Sequence, residues 1–204
     1  MTFAGRIEKN SAVAYMDLPF EELLDTIAAE TPAPGGGSVA AFVTEMAASL
    51  AAMAARFAHD WDGAAGAAAQ AETLRHRAAP LAGENSIAYE NVLTAMRMPK
   101  DLEPEVRNTL IGETLSRAAD VPLQITECAA SVAELAAEIA ECGNQNVRGD
   151  AAAASILASS AARVAANLVE INLATVEGDD RVERARAFVR SAERAARRAL
   201  GDAE

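Results

Sequence analysis

Apolar residues recur every three or four positions along most of this chain, which is typical of helices that bury one face. The clearest run begins at Val39 and continues through Phe42, Met46, Leu50 and Met53, with alanines between them. The same spacing predicts helices over 17 to about 30, 38–58, 64–98, 103–122, 122–142, 151–176 and 181–200. No segment alternates apolar and polar residues as a strand does. The pattern therefore predicts an all-α, single-domain bundle of long helices.

Two prolines and the first residues leave details of this bundle open. Pro80 either kinks or breaks the third helical region, because a proline inside a helix removes a hydrogen bond and clashes with the preceding turn. Pro122 likewise either kinks the fourth helix or starts the fifth. Residues 1–16 carry no clear period, and we interpret them as a loose arm or an extra turn. We treat 1–204 as one domain.

Composition adds two expectations to the predicted bundle, namely close packing of its helices and self-association. Hydrophobic residues make up 51% of the chain but aromatic residues only 4%, and alanine supplies much of the apolar share. Helices rich in alanine approach one another closely. Because these helices also carry embedded asparagines, they present more packing surface than one subunit covers, so we expect a homodimer.

The net charge of −12 argues against nucleic acid and anionic membranes as partners. No uninterrupted apolar run reaches membrane-spanning length, and the N-terminus lacks the apolar core of a signal peptide. We therefore expect a cytoplasmic protein. Cys128 and Cys142 fall on one predicted helix, ~21 Å apart along its axis, which is too far for a disulfide. We interpret both as reduced core residues.

The segment Thr31-Pro-Ala-Pro-Gly-Gly-Gly-Ser38 interrupts the helical pattern most sharply. Its prolines end the preceding helix, and its glycines permit backbone conformations that are closed to other residues. Ser38 is the expected N-cap of the next helix. Free N–H groups at such a turn suit anionic or polar ligand groups, although a plain helix-to-helix turn explains the residues equally well. A mononucleotide P-loop is excluded because Lys-Ser/Thr does not follow the last glycine.

Other polar residues lie where a plain helical bundle does not need them. Asn85 and Tyr89 are four apart and share one helical face. Lys100 is one of only two lysines, and its amine is suited to proton transfer, although an exposed loop lysine is the ordinary interpretation. The remaining candidates are Asn144, Asn146 and Asp150 in a second irregular stretch, with Asp150 expected to cap a helix, and Asn167 and Asn172 in apolar surroundings that would require polar partners.

Several of these motifs follow one another in the order found in a known family. They are Pro32-Ala-Pro-Gly-Gly-Gly-Ser38, an Ala-Tyr…Met-Pro-Lys segment ending at Lys100, Arg107…Val-Pro-Leu123, and Gly143-Asn-Gln-Asn-Val147…Asp150. The chain resembles the cyclodeaminase family, which comprises the C-terminal domain of formiminotransferase-cyclodeaminase and the stand-alone bacterial methenyltetrahydrofolate cyclohydrolases. The resemblance extends from about Pro19 to Val176, and the chain corresponds to the stand-alone form.

The resemblance implies an all-helical homodimer that binds a tetrahydrofolate derivative near the subunit interface and acts on the bridge between N5 and N10. The reaction is either ring closure of the 5-formimino compound with loss of ammonia or hydrolysis of the 5,10-methenyl cation. Neither requires a metal or redox cofactor. The alternative is a catalytically silent folate-binding or structural dimer, because Asn85 stands where the family usually has Asp, and Gly149 where it commonly has Ser.

Site residues follow from combining the resemblance with residue chemistry. Lys100 and Asp150 are the expected catalytic residues. The expected substrate-binding residues are Pro34, Gly35, Gly36, Gly37, Ser38, Asn85, Tyr89, Asn144, Asn146, Asn167 and Asn172.

Overall fold

The computed structural model describes residues 15–99 and 103–201, and within these ranges it contains helices and no strand. A short 3₁₀ turn at Tyr15–Asp17 precedes the first helix, and another at Gln145–Val147 precedes the seventh. The helices are α1 (Phe20–Ala28), α2 (Gly36–Arg56), α3 (Ala64–Ala78), α4 (Leu81–Met96), α5 (Pro104–Ala118), α6 (Asp120–Cys142), α7 (Arg148–Asn172) and α8 (Asp180–Leu200). The predicted all-α class is confirmed.

Helices α2, α6 and α7 form the centre of the bundle, with α3 and α8 packed on either side of it. Small residues make this close packing possible. Alanines of α2, α6 and α7 are fully buried, and the largest fully buried side chains are Ile125 and Ile139 on α6 and Leu173 just after α7. Each buried methyl is small, so the core depends on many close helix contacts rather than on a few large side chains.

The prolines act differently from one another. Pro80 separates α3 from α4 and is the N-cap residue of α4, so it breaks the helical region predicted over 64–98 into two helices. The break between α5 and α6 falls at Ala119, and Pro122 lies in the first turn of α6. Both alternatives considered for Pro122 are therefore wrong: it neither kinks nor starts a helix. A proline is tolerated in a first turn because the N–H it lacks has no intrahelical acceptor there.

Two helices, Gly36–Arg56 and Gln145–Asn172, are long and apolar enough to cross a membrane by length and composition. Neither helix is an uninterrupted apolar run, since Glu45 and Arg163 interrupt them, but their alanines raise the mean hydropathy to 1.5 and 1.4. In the bundle, 67% and 56% of the respective apolar windows are buried against other parts of the chain. This degree of burial is typical of core helices.

The two cysteines differ in environment. Both lie on α6, as predicted, and both are free thiols. Cys128 is buried, its Sγ lies 3.5 Å from the carbonyl oxygen of Leu74, and burial raises its pKa to about 11. Cys142 is exposed at the C-terminal end of α6, so assigning it to the core was wrong.

Glu45 is a carboxylate buried in α2 without adequate compensation. Its Oε1 lies 4.0 Å from Arg75 Nη1, and its Oε2 has no hydrogen-bond partner among the described residues. Burial raises the pKa of Glu45, and the opposing charges of Arg75 and His76 offset that only in part. The ionised form is therefore less favourable in the folded than in the unfolded chain.

We expect Glu45→Gln to stabilise the protein at neutral pH by about 1 kcal/mol, because an unpaired buried charge is removed. Since the folded pKa exceeds the unfolded one, the destabilisation by Glu45 is present above the folded pKa and disappears as the pH falls toward the unfolded value. Thermal unfolding of both proteins between pH 4 and 8 tests this. The gain in stability of the variant over wild type should shrink in acid. A gain independent of pH would contradict the idea that the ionised form of Glu45 causes the destabilisation.

One arginine joins the start of α8 to the junction between α5 and α6. The Arg181 guanidinium donates to both carboxylate oxygens of Asp179, to Asp120 Oδ1 at 2.7 Å, and to the carbonyl oxygen and Oγ of Ser116, each at 2.7 Å. These bonds lower the pKa of Asp179 to about 2. The arginine side chain is only 16% exposed, so it works as a largely buried clamp.

Candidate functional site

The glycine-rich turn forms the wall of a cavity of about 290 Å³. Helix α2 begins at Gly36 with Gly35 as its N-cap residue, so Ser38 is inside the first turn and the prediction that it caps the helix was wrong. The first-turn N–H groups of Gly36 and Gly37 have no intrahelical acceptor and carry the positive end of the helix dipole. The cavity is lined by Pro32, Ala33, Gly35, Gly36, Gly37, Asn85, Tyr89, Pro122, Leu168, Ile171 and Asn172.

Asn85 lies directly against the backbone of Gly37. A Cβ added at Gly37 would fall 2.4–2.6 Å from the Oδ1, Cγ and Nδ2 atoms of Asn85, whereas one added at Gly36 would meet nothing within 4 Å. Gly37 is therefore required for close approach of the amide, and Gly36 is not. The Asn85 amide makes no hydrogen bond to another described residue, so its donor and acceptor face the cavity unpaired.

A chain of buried hydroxyl groups fixes α4 against α2 beneath the turn. Ser38 Oγ donates to the carbonyl oxygen of Ala82 at 2.8 Å, Ser86 Oγ lies 3.0 Å from Ser38 Oγ, and Tyr15 Oη donates to Ser86 Oγ at 3.0 Å. Ser86 Oγ also lies 3.3 Å from the carbonyl oxygen of Ala82, so either serine can be the donor between Ser38 and Ser86. Ser38 and Pro34 are buried and line no part of the cavity; Ser38 holds α4 in register, so that Asn85 meets Gly37.

Helix α7 closes the cavity with the last residues before its C-terminus. Asn172 Nδ2 donates to the carbonyl oxygen of Ala118 at 3.1 Å, which leaves its amide oxygen available to the cavity. The cavity therefore combines two primary amides, the Tyr89 hydroxyl and free backbone N–H groups with apolar walls. None of the described residues that line it carries a charge at neutral pH.

The second motif lies at the opposite end of the bundle. Asn144 caps the 3₁₀ turn by accepting from the Asn146 N–H at 2.9 Å, and its Nδ2 donates to the carbonyl oxygen of Phe57 at 2.9 Å. Both asparagines line a separate cavity of about 350 Å³ that also includes Trp61 and Cys142. The structure thus gives Asn144 a role in holding the loop and does not place it in the glycine-turn cavity.

Two other candidates, Asp150 and Asn167, also lie outside that cavity. Asp150 is the third residue of α7, whose N-cap residue is Val147, so the prediction of an Asp150 cap was wrong. Its 22-residue separation from Asn172 corresponds to ~33 Å along the helix. Asn167 is exposed rather than buried, beside a groove between α7 and α8, which corrects the expectation of apolar surroundings. Lys100 lies outside the described residues.

Sequence reasoning missed the apolar part of the cavity. Pro122, Leu168 and Ile171 line it, yet each fits an ordinary helical core pattern. Only the exposure of Ile171, at 57%, distinguishes it from a core residue, and that cannot be read from spacing.

The comparisons with known proteins agree with this arrangement of motifs. A sequence model of the family described as formiminotransferase-cyclodeaminase matches residues 19–191. This chain belongs to that family. The matched range contains the glycine-rich turn, Asn85, the second loop and all of α7, so every described residue that lines the cavity lies within it.

Individual members of the formiminotransferase-cyclodeaminase family resemble the chain over different extents. The methenyltetrahydrofolate cyclohydrolase of Methylorubrum extorquens is 32% identical over 161 residues, covering 74% of this chain and 77% of that protein. The formimidoyltransferase-cyclodeaminase of Sus scrofa is 31% identical over 144 residues, which covers 65% of this chain but only 26% of that longer protein.

A solved structure supports the fold. The crystal structure of formiminotetrahydrofolate cyclodeaminase from Thermotoga maritima superimposes with a TM-score of 0.77 at 24% identity and covers 91% of this chain and 97% of that one. At this identity the match establishes the helical architecture alone.

Proposed function

We propose that this protein is a folate one-carbon enzyme that binds the pterin end of a tetrahydrofolate derivative in the glycine-turn cavity. The observation that carries the proposal is the unpaired Asn85 amide, held against Gly37 beside free N–H groups of α2. A reduced pterin presents a planar edge of alternating donors and acceptors. An amide and backbone N–H groups at fixed positions provide the complementary partners.

The proposed reaction is hydrolysis of the 5,10-methenyl cation. Water adds to the methenyl carbon, a proton is released, and cleavage of the bond between that carbon and N5 gives the 10-formyl compound. The cavity is suited to the cationic methenyl group because none of its described lining residues adds a positive side chain. No metal or redox cofactor is required by this chemistry.

Cyclodeamination of the 5-formimino compound is the second candidate. There N10 attacks the formimino carbon and ammonia leaves. Hydrolysis is preferred because the relative named as a cyclohydrolase resembles this chain over about three quarters of both proteins. The amide of Asn85 cannot accept a proton as a carboxylate would, and hydrolysis of an already electrophilic cation needs less help from a base than expulsion of ammonia does.

We further propose that the enzyme is a homodimer that forms through the exposed side of α2 and α7. Met46 on α2 and Leu157, Val164 and Ile171 on α7 are between 42% and 57% exposed. The three α7 residues are seven apart, which places them on one stripe of about 21 Å. Apolar residues at this interval are typical of a helix that packs against another helix.

A two-fold axis near the middle of this stripe would pair α7 with its copy in antiparallel orientation. The N-terminal half of the partner's α7, which begins near the partner's Asp150, would then lie beside the cavity that Ile171 and Asn172 line. This arrangement explains how Asp150 can belong to the site although it lies ~33 Å from Asn172 along its own helix. In it, Asp150 acts on the substrate bound to the other subunit.

Subunit mixing tests this assignment. We expect Asp150→Asn to lower turnover at least tenfold with little change in stability, because a charged acceptor is lost while helix α7 remains intact. Asn85→Ala should also be inactive. When equal amounts of the two variants are unfolded together and refolded, half of the dimers are mixed, and each mixed dimer has one intact site of its two. About a quarter of wild-type activity should therefore return. No recovery would contradict a site shared between subunits.

The absorbance of 5,10-methenyltetrahydrofolate provides the test of activity. Its loss at a rate proportional to protein concentration supports hydrolysis, whereas its appearance from the 5-formimino compound with release of ammonia supports the second candidate. Thermal stabilisation by folates without turnover would identify a catalytically silent folate-binding dimer. Absence of both turnover and stabilisation would overturn the proposal.

We also propose a cytoplasmic location, where the exposed thiol of Cys142 would stay reduced.

A further inference from the structure

The glycine-turn cavity is too small and too neutral to hold a complete folate. Its volume of about 290 Å³ is at the lower end of the range of small-molecule pockets. A tetrahydrofolate also carries an aromatic linker and a glutamate with two carboxylates. Since the part of the lining that the structure describes is uncharged, we expect those carboxylates to bind elsewhere. This argument rests on the proposed function.

A larger cavity of about 620 Å³ lies along a neighbouring face of α4. Asn85 and Tyr89 line the smaller cavity, while the preceding residues Glu84 and Ala88 line the larger. On α6, Pro122 lines the smaller cavity and its neighbour Val121 lines the larger. Because consecutive helical residues are about 100° apart, the two cavities lie on adjacent faces of the contact between α4 and α6.

The walls of the larger cavity are mainly apolar, and among the described residues that line it Arg117 is the single cation. The Arg117 side chain is 80% exposed, and its ion pair with Glu113 is loose, at 3.5 Å. An exposed pair at this distance holds the guanidinium weakly, so Arg117 is free to bind an anion. Glu84 also lines this cavity and would repel a carboxylate. Binding of a carboxylate there therefore requires the positive charge of Arg117.

We propose that this larger cavity receives the p-aminobenzoyl-glutamate tail of the substrate, with Arg117 binding a glutamate carboxylate. The apolar side chains of Ile87, Met98 and Leu110 provide contact area for the aromatic linker. A guanidinium is suited to a carboxylate because it can donate two parallel hydrogen bonds. Arg117 is then a determinant of affinity for the tail and takes no part in the bond changes at the methenyl carbon.

The test compares two substrates, 5,10-methenyltetrahydrofolate and the corresponding tetrahydropteroate that lacks glutamate. For wild-type protein, the analogue should have a KM about three- to tenfold higher with a similar kcat, as expected for loss of one partly exposed charged contact. Arg117→Gln should raise the KM for the folate by the same factor and leave the KM for the analogue unchanged. Arg117→Lys should restore part of the difference.

Arg190→Gln is the matched control, because Arg190 is also exposed with one carboxylate partner, Glu183, but lies on α8 away from both cavities. It should leave both KM values unchanged. Equal KM values for the two substrates with wild-type protein, or an equal effect of Arg117→Gln on both, would overturn the inference while leaving the proposed function intact. Absence of turnover with either wild-type substrate would instead count against the proposed function.

Discussion

Gly37→Ala should reduce turnover of 5,10-methenyltetrahydrofolate by about two orders of magnitude. The new Cβ would lie 2.4–2.6 Å from the amide atoms of Asn85, which is too close, so the asparagine must rotate or α4 must move. Displacement of a positioning group by about 1 Å can cost roughly a hundredfold in rate. Steady-state kinetics together with thermal unfolding measure the effect on the site separately from that on the fold.

Gly36→Ala is the control for this experiment. The neighbouring glycine belongs to the same turn and the same cavity, but a Cβ there meets no atom within 4 Å, and neither glycine has a positive φ. The variant should retain activity within a few-fold of wild type. Equal losses in both variants would mean that the turn tolerates no side chain at all and that the contact between Gly37 and Asn85 has no special importance.

Arg181→Ala should destabilise the protein by about 3 kcal/mol, because it leaves the largely buried Asp179 carboxylate without its cation and Ser116 without its donor. For a chain of this size, that corresponds to a fall in Tm of roughly 6–12 °C. The clamp supports the α5–α6 junction, where the Ala118 carbonyl oxygen accepts from Asn172. Calorimetry or circular dichroism measures the change.

Arg163→Ala provides the comparison for the clamp. Arg163 also forms an ion pair, with Glu193 at 3.0 Å, but its side chain is 76% exposed. Exposed pairs contribute at most about 1 kcal/mol, so its Tm should fall by no more than a few degrees. A loss as large as that of Arg181→Ala would show that the burial of the clamp does not determine its contribution.

The helical architecture could be predicted because alanine-rich amphipathic runs and the prolines dictate it locally. The pairing of Asn85 with Tyr89 on one face was also accessible, since residues four apart share a helical face. Helix starts were less predictable. Ser38 and Asp150 both have good capping side chains, yet the N-cap residues are Gly35 and Val147, three residues earlier in each case.

Grouping of the site residues required the three-dimensional structure. Asn172 reaches the glycine-rich turn, whereas Asn144 and Asn146 lie at the other end of the bundle, because α7 runs antiparallel to α2 over their whole lengths. No local pattern reveals this separation. Exposure was equally inaccessible: Phe20 and Leu24 of α1 are 63% and 49% exposed, whereas Leu23 between them is buried.

A crystal structure of the protein with a bound tetrahydrofolate derivative tests the central claim most directly. We expect the pterin between the N-terminus of α2 and Asn85, with its donor–acceptor edge bonded to the amide. A pterin located in the cavity formed by Trp61, Cys142 and Asn144 at the other end of the bundle would contradict this assignment of the site.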